Sequence, residues 1–152
     1  MYKVLSKSIL FSFLLLVSCT FYEPEFKGGE TIKFQELNGR EIKFTAGGNI
    51  LNENGFAIKV KPSDLDAYIE GDYIGKVHLD QKIKMKRKQE AFIDAPFTAT
   101  LAQGALLKAM KYANKDKIQI RLKGKVKVGV WFIGKNIDVN ETRTIDGANL
   151  KF

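Results

Sequence analysis

Few side chains here can do covalent or metal chemistry: the 152 residues include one cysteine, Cys19, and one histidine, His78. Nucleophile-and-base pairs and imidazole-based metal sites need at least two such groups within reach, and a lone cysteine excludes an internal disulfide or a paired-cysteine zinc site. His78 lies in Val77-His78-Leu79-Asp80, on the strand face opposite Val77 and Leu79, and reads as an ordinary exposed or edge histidine. Asp64, Asp66, Glu70, Asp72 and Asp80 form the one acidic neighbourhood, and hard cations such as Ca²⁺ take several such oxygens. Their spacing does not match an EF-hand loop, and shared strand parity makes them solvent-facing strand and turn carboxylates. A hydrolase built on two carboxylates would need a pairing that this pattern lacks. No catalytic residue, metal site or cofactor is expected.

The basic residues are more ordered. Lysine and arginine number 25 against 17 acidic residues, a net charge of +8. Lys117, Arg121, Lys123, Lys125 and Lys127 share one strand parity with Trp131, and Lys82, Lys84, Lys86 and Lys88 form a second same-face row. Arg121, Lys123, Lys125, Lys127 and Trp131 are therefore the candidate contact for anionic lipid headgroups or polyanionic envelope polymers. Each cation near such a surface contributes about 1 kcal/mol. Lysine on exposed strands also guards against edge-to-edge aggregation.

The address explains which polyanions are available. Residues 1–18, MYKVLSKSILFSFLLLVS, carry Lys3 and Lys7, an apolar run from Ile9 to Val17 and no acid, the pattern of a cleaved signal peptide. The run is about nine residues where a membrane span needs about 20. Leu16-Val17-Ser18-Cys19 resembles the bacterial lipobox, which makes Cys19 the expected lipid attachment point. Two or three acyl chains at about 0.8 kcal/mol per CH₂ hold a protein at a membrane almost permanently. Removing residues 1–18 leaves 23 basic against 17 acidic residues, a charge of +6. Residues 19–30 read as a lipidated tether, with Pro24 and Gly28-Gly29 and no periodicity, and 31–152 as one domain. The expected location is the bacterial envelope, on the periplasmic side or at the outer membrane, with Thr20 a weak pointer to the latter. Nucleic acid is not an expected partner of an exported chain.

From residue 31 the apolar residues alternate, as strands with one buried face do. Alternation over Lys117–Phe132, broken at Gly124, predicts two strands or one bent sharply there. Ala91 to Leu101 alternates too, with Pro96 suggesting an edge or bulge. Ile32 and Phe34, Ile42 and Phe44, and Phe56, Ile58 and Val60 are separated by turn signals at Asn38-Gly39, Gly47-Gly48 and Asn54-Gly55. Leu65 to Ile69 leads into Gly71-Asp72, and Ile74 to Met85 resumes the pattern. Turns every 8–12 residues predict an all-β sandwich. Leu101–Ala113 breaks the period, and Leu106, Leu107, Met110 and Ala113 at helical spacing predict a short helix or a pair of turns.

Leu51-Asn52-Glu53-Asn54-Gly55-Phe56-Ala57-Ile58, followed by Leu65-Asp66-Ala67-Tyr68-Ile69-Glu70-Gly71-Asp72-Tyr73-Ile74-Gly75, resembles the late embryogenesis abundant type 2 family, or water-stress and hypersensitive response (WHy) domain. Leu122-Lys123-Gly124-Lys125-Val126 matches its "leucine, x, glycine, x, valine" strand. Glu53 stands where the family has a proline. The resemblance spans roughly residues 31–146 and implies an immunoglobulin- or fibronectin-III-like antiparallel sandwich with one short helix, linked in plants to desiccation and stress, and without catalytic residues. Together these readings describe a membrane-anchored, non-enzymatic binding or stress-protective lipoprotein with an envelope protein, anionic lipid or polymer as partner. Small residues at Ala91, Ala95, Ala99 and Gly124 leave open a carrier of an apolar ligand between the sheets.

Overall fold

A computed structural model describes residues 21–112, 114–130 and 133–146. Cys19 and Trp131 lie outside the described residues. The chain forms ten strands and one helix: β1 (Glu25–Phe26), β2 (Thr31–Asn38), β3 (Glu41–Asn52), β4 (Ile58–Val60), β5 (Asp64–Ile69), β6 (Asp72–Leu79), β7 (Ile83–Met85), β8 (Gln89–Leu101), α1 (Ala105–Met110), β9 (Lys117–Val130) and β10 (Ile133–Asp146). Every pairing is antiparallel, and the strands join in the order β1-β3-β8-β6-β5-β9-β4-β7, with β2 beside β3 and β10 beside β9. This is the expected all-β architecture.

Alternation makes the sheet roll over on itself. Ile58, Met85 and Val128, from β4, β7 and β9, pack against Ile50 and Ile93 of the facing β3 and β8. A second cluster, Ile74, Leu101 and Ala105, is joined by Ile42 and Ile69. The sheet is continuous at this second end through the β5–β6 hairpin, whose two-residue loop Glu70-Gly71 has φ of 51° and 87°. Two positive φ values match the type I′ geometry that fits the twist of a hairpin, and glycine takes one at no steric cost. At the opposite end β7 and β8 approach without pairing.

Some local expectations give way to packing. Gly47-Gly48 is not a turn but the middle of β3, paired with Asp94 and Ile93. The missing side chains leave room for the Phe26 ring over Gly48 and for Phe92 and Thr31 beside Gly47. Likewise β9 runs unbroken through Gly124, whose partner is Val139, with no register shift; the glycine lets Leu65 and the Asp64 carbonyl come close. Pro96 is not on an edge strand. It sits where the β6 ladder ends, so its missing N–H costs no ladder bond, while its carbonyl accepts from Asp80 N–H at 3.0 Å. The helix is shorter than expected, and it buries Ala105 while Leu106, Leu107 and Met110 stay exposed. One and a half turns cannot present a full apolar stripe to a core that Leu101 has already closed.

At Gly75 the β8 backbone comes close to β6. A β-carbon there would overlap the Thr100 carbonyl oxygen, a backbone atom that cannot swing aside. Gly75→Ala is expected to lose at least about 2 kcal/mol in urea unfolding, as overpacked sites do, whereas Gly134→Ala, with open space around it, stays within about 0.5 kcal/mol.

Candidate functional site

The end of the sandwich where β3 finishes is organised by two buried asparagines, Asn52 and Asn54, 0% and 2% exposed. Asn52 Nδ2 donates to the carbonyls of Phe56 and Lys86, both at 3.0 Å. Its Oδ1 accepts from the Asn54 backbone N–H at 3.1 Å and from Asn54 Nδ2 at 2.9 Å. Both amide hydrogens and both lone pairs of Asn52 are thus used, a set that neither a carboxylate nor a hydroxyl can supply. Asn54 extends the chain of bonds: Nδ2 donates to Tyr22 O at 2.6 Å, Oδ1 accepts from Tyr22 N–H at 2.9 Å, and its own carbonyl accepts from Lys88 N–H at 3.0 Å. Phe21 then stacks on Phe56 with ring centroids 6.4 Å apart. Part of the segment read as a tether is therefore strapped to the domain, and β1 continues the strap with Lys27 N–H to Asn49 O at 2.8 Å. Glu53 is exposed and takes no part, so its replacement of the family's proline leaves the amides undisturbed.

The two basic rows meet on one outer face. Lys84 of β7 lies directly opposite Lys59 of β4, and Lys59 lies opposite Gly129 of β9, so Lys127 and Lys125 share that face. Lys61 N–H donates to Lys127 O at 2.8 Å, which continues the same edge. Farther along β9 the charges are matched: Lys125 meets Asp138 at 3.8 Å, Lys123 stands opposite Asp66, and Arg121 Nε donates to Asn140 Oδ1 at 2.7 Å. Lys59, Lys61, Lys82, Lys84, Lys86, Arg87 and Lys88 have no carboxylate within ion-pair distance among the described residues. Like charges directly opposite in a ladder are destabilising, so the Lys59–Lys84 pair opposes the fold that contains it.

The acidic residues disperse into separate local contacts. Asp64 bonds His78 Nδ1 at 2.7 Å, Asp72 accepts from Tyr112 Oη at 2.9 Å and Asp80 from Thr98 Oγ1 at 3.0 Å. Among the described residues no three His, Cys, Asp or Glu side chains gather to hold a metal. The Asp64–His78 pair borders an open depression of about 320 Å³ with Arg40, Tyr73, Lys76 and Thr100; the lining holds no Ser or Cys, and the imidazole bonds Asp64 and not the Thr100 hydroxyl. Glu70 is held below the usual carboxylate range, chiefly by its 2.7 Å hydrogen bond from Lys115 and then by Gln119 N–H at 2.8 Å.

The segment that carries the buried amide pair, the Tyr68–Tyr73 hairpin and β9 matches a known class of protein. Residues 48–143 match the family model of the late embryogenesis abundant protein, type 2, and the chain belongs to that family. Among solved structures, a protein from Archaeoglobus fulgidus is similar over 78% of this chain and 95% of that one, at 12% identity and a TM-score of 0.53. A protein of Arabidopsis thaliana is similar over 86% and 88%, at 13% identity and a TM-score of 0.48. These likenesses are of fold alone. No curated protein sequence matches the chain. Membership suggests a stress-related, non-enzymatic role.

Two outcomes follow from the hub and the hairpin. Asn52→Ala strands the carbonyls of Phe56 and Lys86, and is expected to cost about 3 kcal/mol by urea unfolding, more than Glu53→Ala at the neighbouring exposed position. Because the folded pKa of Glu70 is depressed, its stabilisation is full above the ordinary carboxylate pKa and is lost as pH falls through the folded value. The stability gap between parent and Glu70→Gln should therefore be widest at neutral pH and close on acidification, and a gap independent of pH would contradict the ion pair.

Proposed function

We propose that the chain is a lipid-anchored envelope lipoprotein whose sandwich acts as a non-enzymatic binding or stress-protective module at a membrane surface. In this reading residues 1–18 are removed and Cys19 carries the lipid. The domain from residue 31 presents the basic outer face of β4, β7 and β9, where Lys59, Lys84, Lys125 and Lys127 lie together, to anionic lipid, polymer or an envelope protein. The observation that carries it is the placing of the lone cysteine: it ends an apolar leader and lies two residues before Phe21, where the chain is clamped to the domain. A clamp so close to an attachment point suits a domain held against its membrane rather than one on a long leash. The single cysteine and single histidine, the latter bonded to Asp64, support a role without catalysis.

A carrier of an apolar ligand is the second reading, and β2 favours it. Ile32, Phe34 and Leu37 pair in register with Ala46, Phe44 and Ile42 and so face the inner side, yet they stay 59%, 55% and 64% exposed.

Mass spectrometry of the protein extracted from bacterial membranes is expected to show a chain beginning at Cys19 with diacylglycerol on its sulfur, and Cys19→Ser to lack it. An unmodified cysteine with residues 1–18 still attached would overturn the anchor. An apolar lipid co-purifying with the soluble Cys19→Ser domain would put the carrier reading first.

A further inference from the structure

The strap, the uncompensated lysines and the start of the described chain all converge on one corner of the sandwich. Lys86, Arg87 and Lys88 follow β7 at the hub end, where Lys86 O and Lys88 N–H are themselves bonded to Asn52 and Asn54. Lys59 and Lys84 stand opposite one another on the adjoining sheet face, with Lys61 beside them. We propose that this corner, formed by Lys59, Lys61, Lys84, Lys86, Arg87 and Lys88, seats on the anionic phospholipid headgroups of the bilayer that holds the lipid on Cys19. The seat fixes one orientation of the domain. It rests on the lipid anchor proposed above.

Three observations support the seat, and the first favours headgroups over another polyanion. Whatever its conformation, the Cys19 Cα lies within about 8 Å of that of Phe21, since each peptide unit spans about 3.8 Å. Phe21 is stacked on Phe56, two residues before β4 begins, so a lipid on Cys19 holds the bilayer at this end of the sandwich. The charge is also free to act: among the described residues none of the six has a carboxylate within ion-pair distance, and Glu25 of the strap is paired with Lys27 at 2.7 Å. Finally, the like-charged Lys59–Lys84 pair is a structural cost that an anionic surface relieves. The far end of the β9 row does not share the position. Arg121 is about 30 Å up the strand from Val130, at about 3.3 Å per residue, and has Asn140 as its partner.

The test uses the chain from residue 19 with Cys19→Ser, which retains every described contact, because all of them lie within residues 21–146. Its co-sedimentation is measured with vesicles of one part phosphatidylglycerol to two parts phosphatidylcholine and with phosphatidylcholine alone. Each cation at an anionic surface is worth about fivefold in partitioning. Lys59→Gln, Lys84→Gln, Lys86→Gln and Lys88→Gln together should lower binding to the anionic vesicles by at least about thirtyfold, while Arg121→Gln with Lys123→Gln changes it by less than about threefold. Added salt should weaken the parent's binding, and Lys84→Gln alone should raise the melting temperature, which separates lost charge from lost fold. Equal binding to both vesicle types, no binding at all, or an equal loss in the Arg121/Lys123 variant would overturn the seat. These results do not depend on the modification of Cys19, so a missing lipid sinks the anchor and leaves the vesicle measurement readable on its own.

Discussion

Two side-chain amides hold together three stretches of backbone that are far apart in sequence. Asn52 joins the end of β3 to the turn before β4 and to the loop after β7, and Asn54 adds the N-terminal segment through Tyr22. Buried polar groups are tolerated only when every donor and acceptor is matched, and here the matching is complete for Asn52. The consequence is rigidity of a particular kind. The split between β7 and β8 would leave this end of the rolled sheet loose, and the amides close it with side chains where a ladder is missing.

The same arrangement explains why the chain tolerates a charge pattern that works against folding. Basic residues gather on the outer face of β4, β7 and β9 with few acids to answer them, while farther along β9 each cation has an acid or amide opposite. The buried cluster behind that face, centred on Ile58, Met85 and Val128, supplies burial that outweighs the repulsion of exposed ammonium groups. Stability is thus concentrated inside and the outer charge is left free for other work.

Much of this was legible before any coordinates. Alternation identified nearly every strand, because a half-buried strand must repeat at every second residue, and the Asn38-Gly39 and Gly71 signals fell at true hairpins. Glycine misled where its meaning was packing and not turning: Gly47, Gly48 and Gly124 all sit inside long strands because a ring or a neighbouring backbone occupies the place of a side chain. The helix misled through length, since spacing reports which side chains align but not whether a core remains for them to cover. The Asn-x-Asn pattern was visible as a family trait, but its partners were not, since the carbonyls of Phe56 and Lys86 carry no sequence signal. The merging of the two lysine rows likewise depended on pairing between β4, β7 and β9, which no local pattern encodes.

The strap also has a mechanical meaning. A pull on the N-terminus first loads the Phe21 stack and the two hydrogen bonds between Tyr22 and Asn54, then a strand of only two residues, and only after that the eight-residue β2. The early contacts peel one at a time, whereas β2 holds along its length. Tension therefore frees the stretch from Tyr22 to Glu30 before it disturbs the sandwich, paying out about 30 Å of slack at roughly 3.5 Å per residue. A domain attached at its N-terminus by such a strap would be close-held at rest and longer-reaching under load.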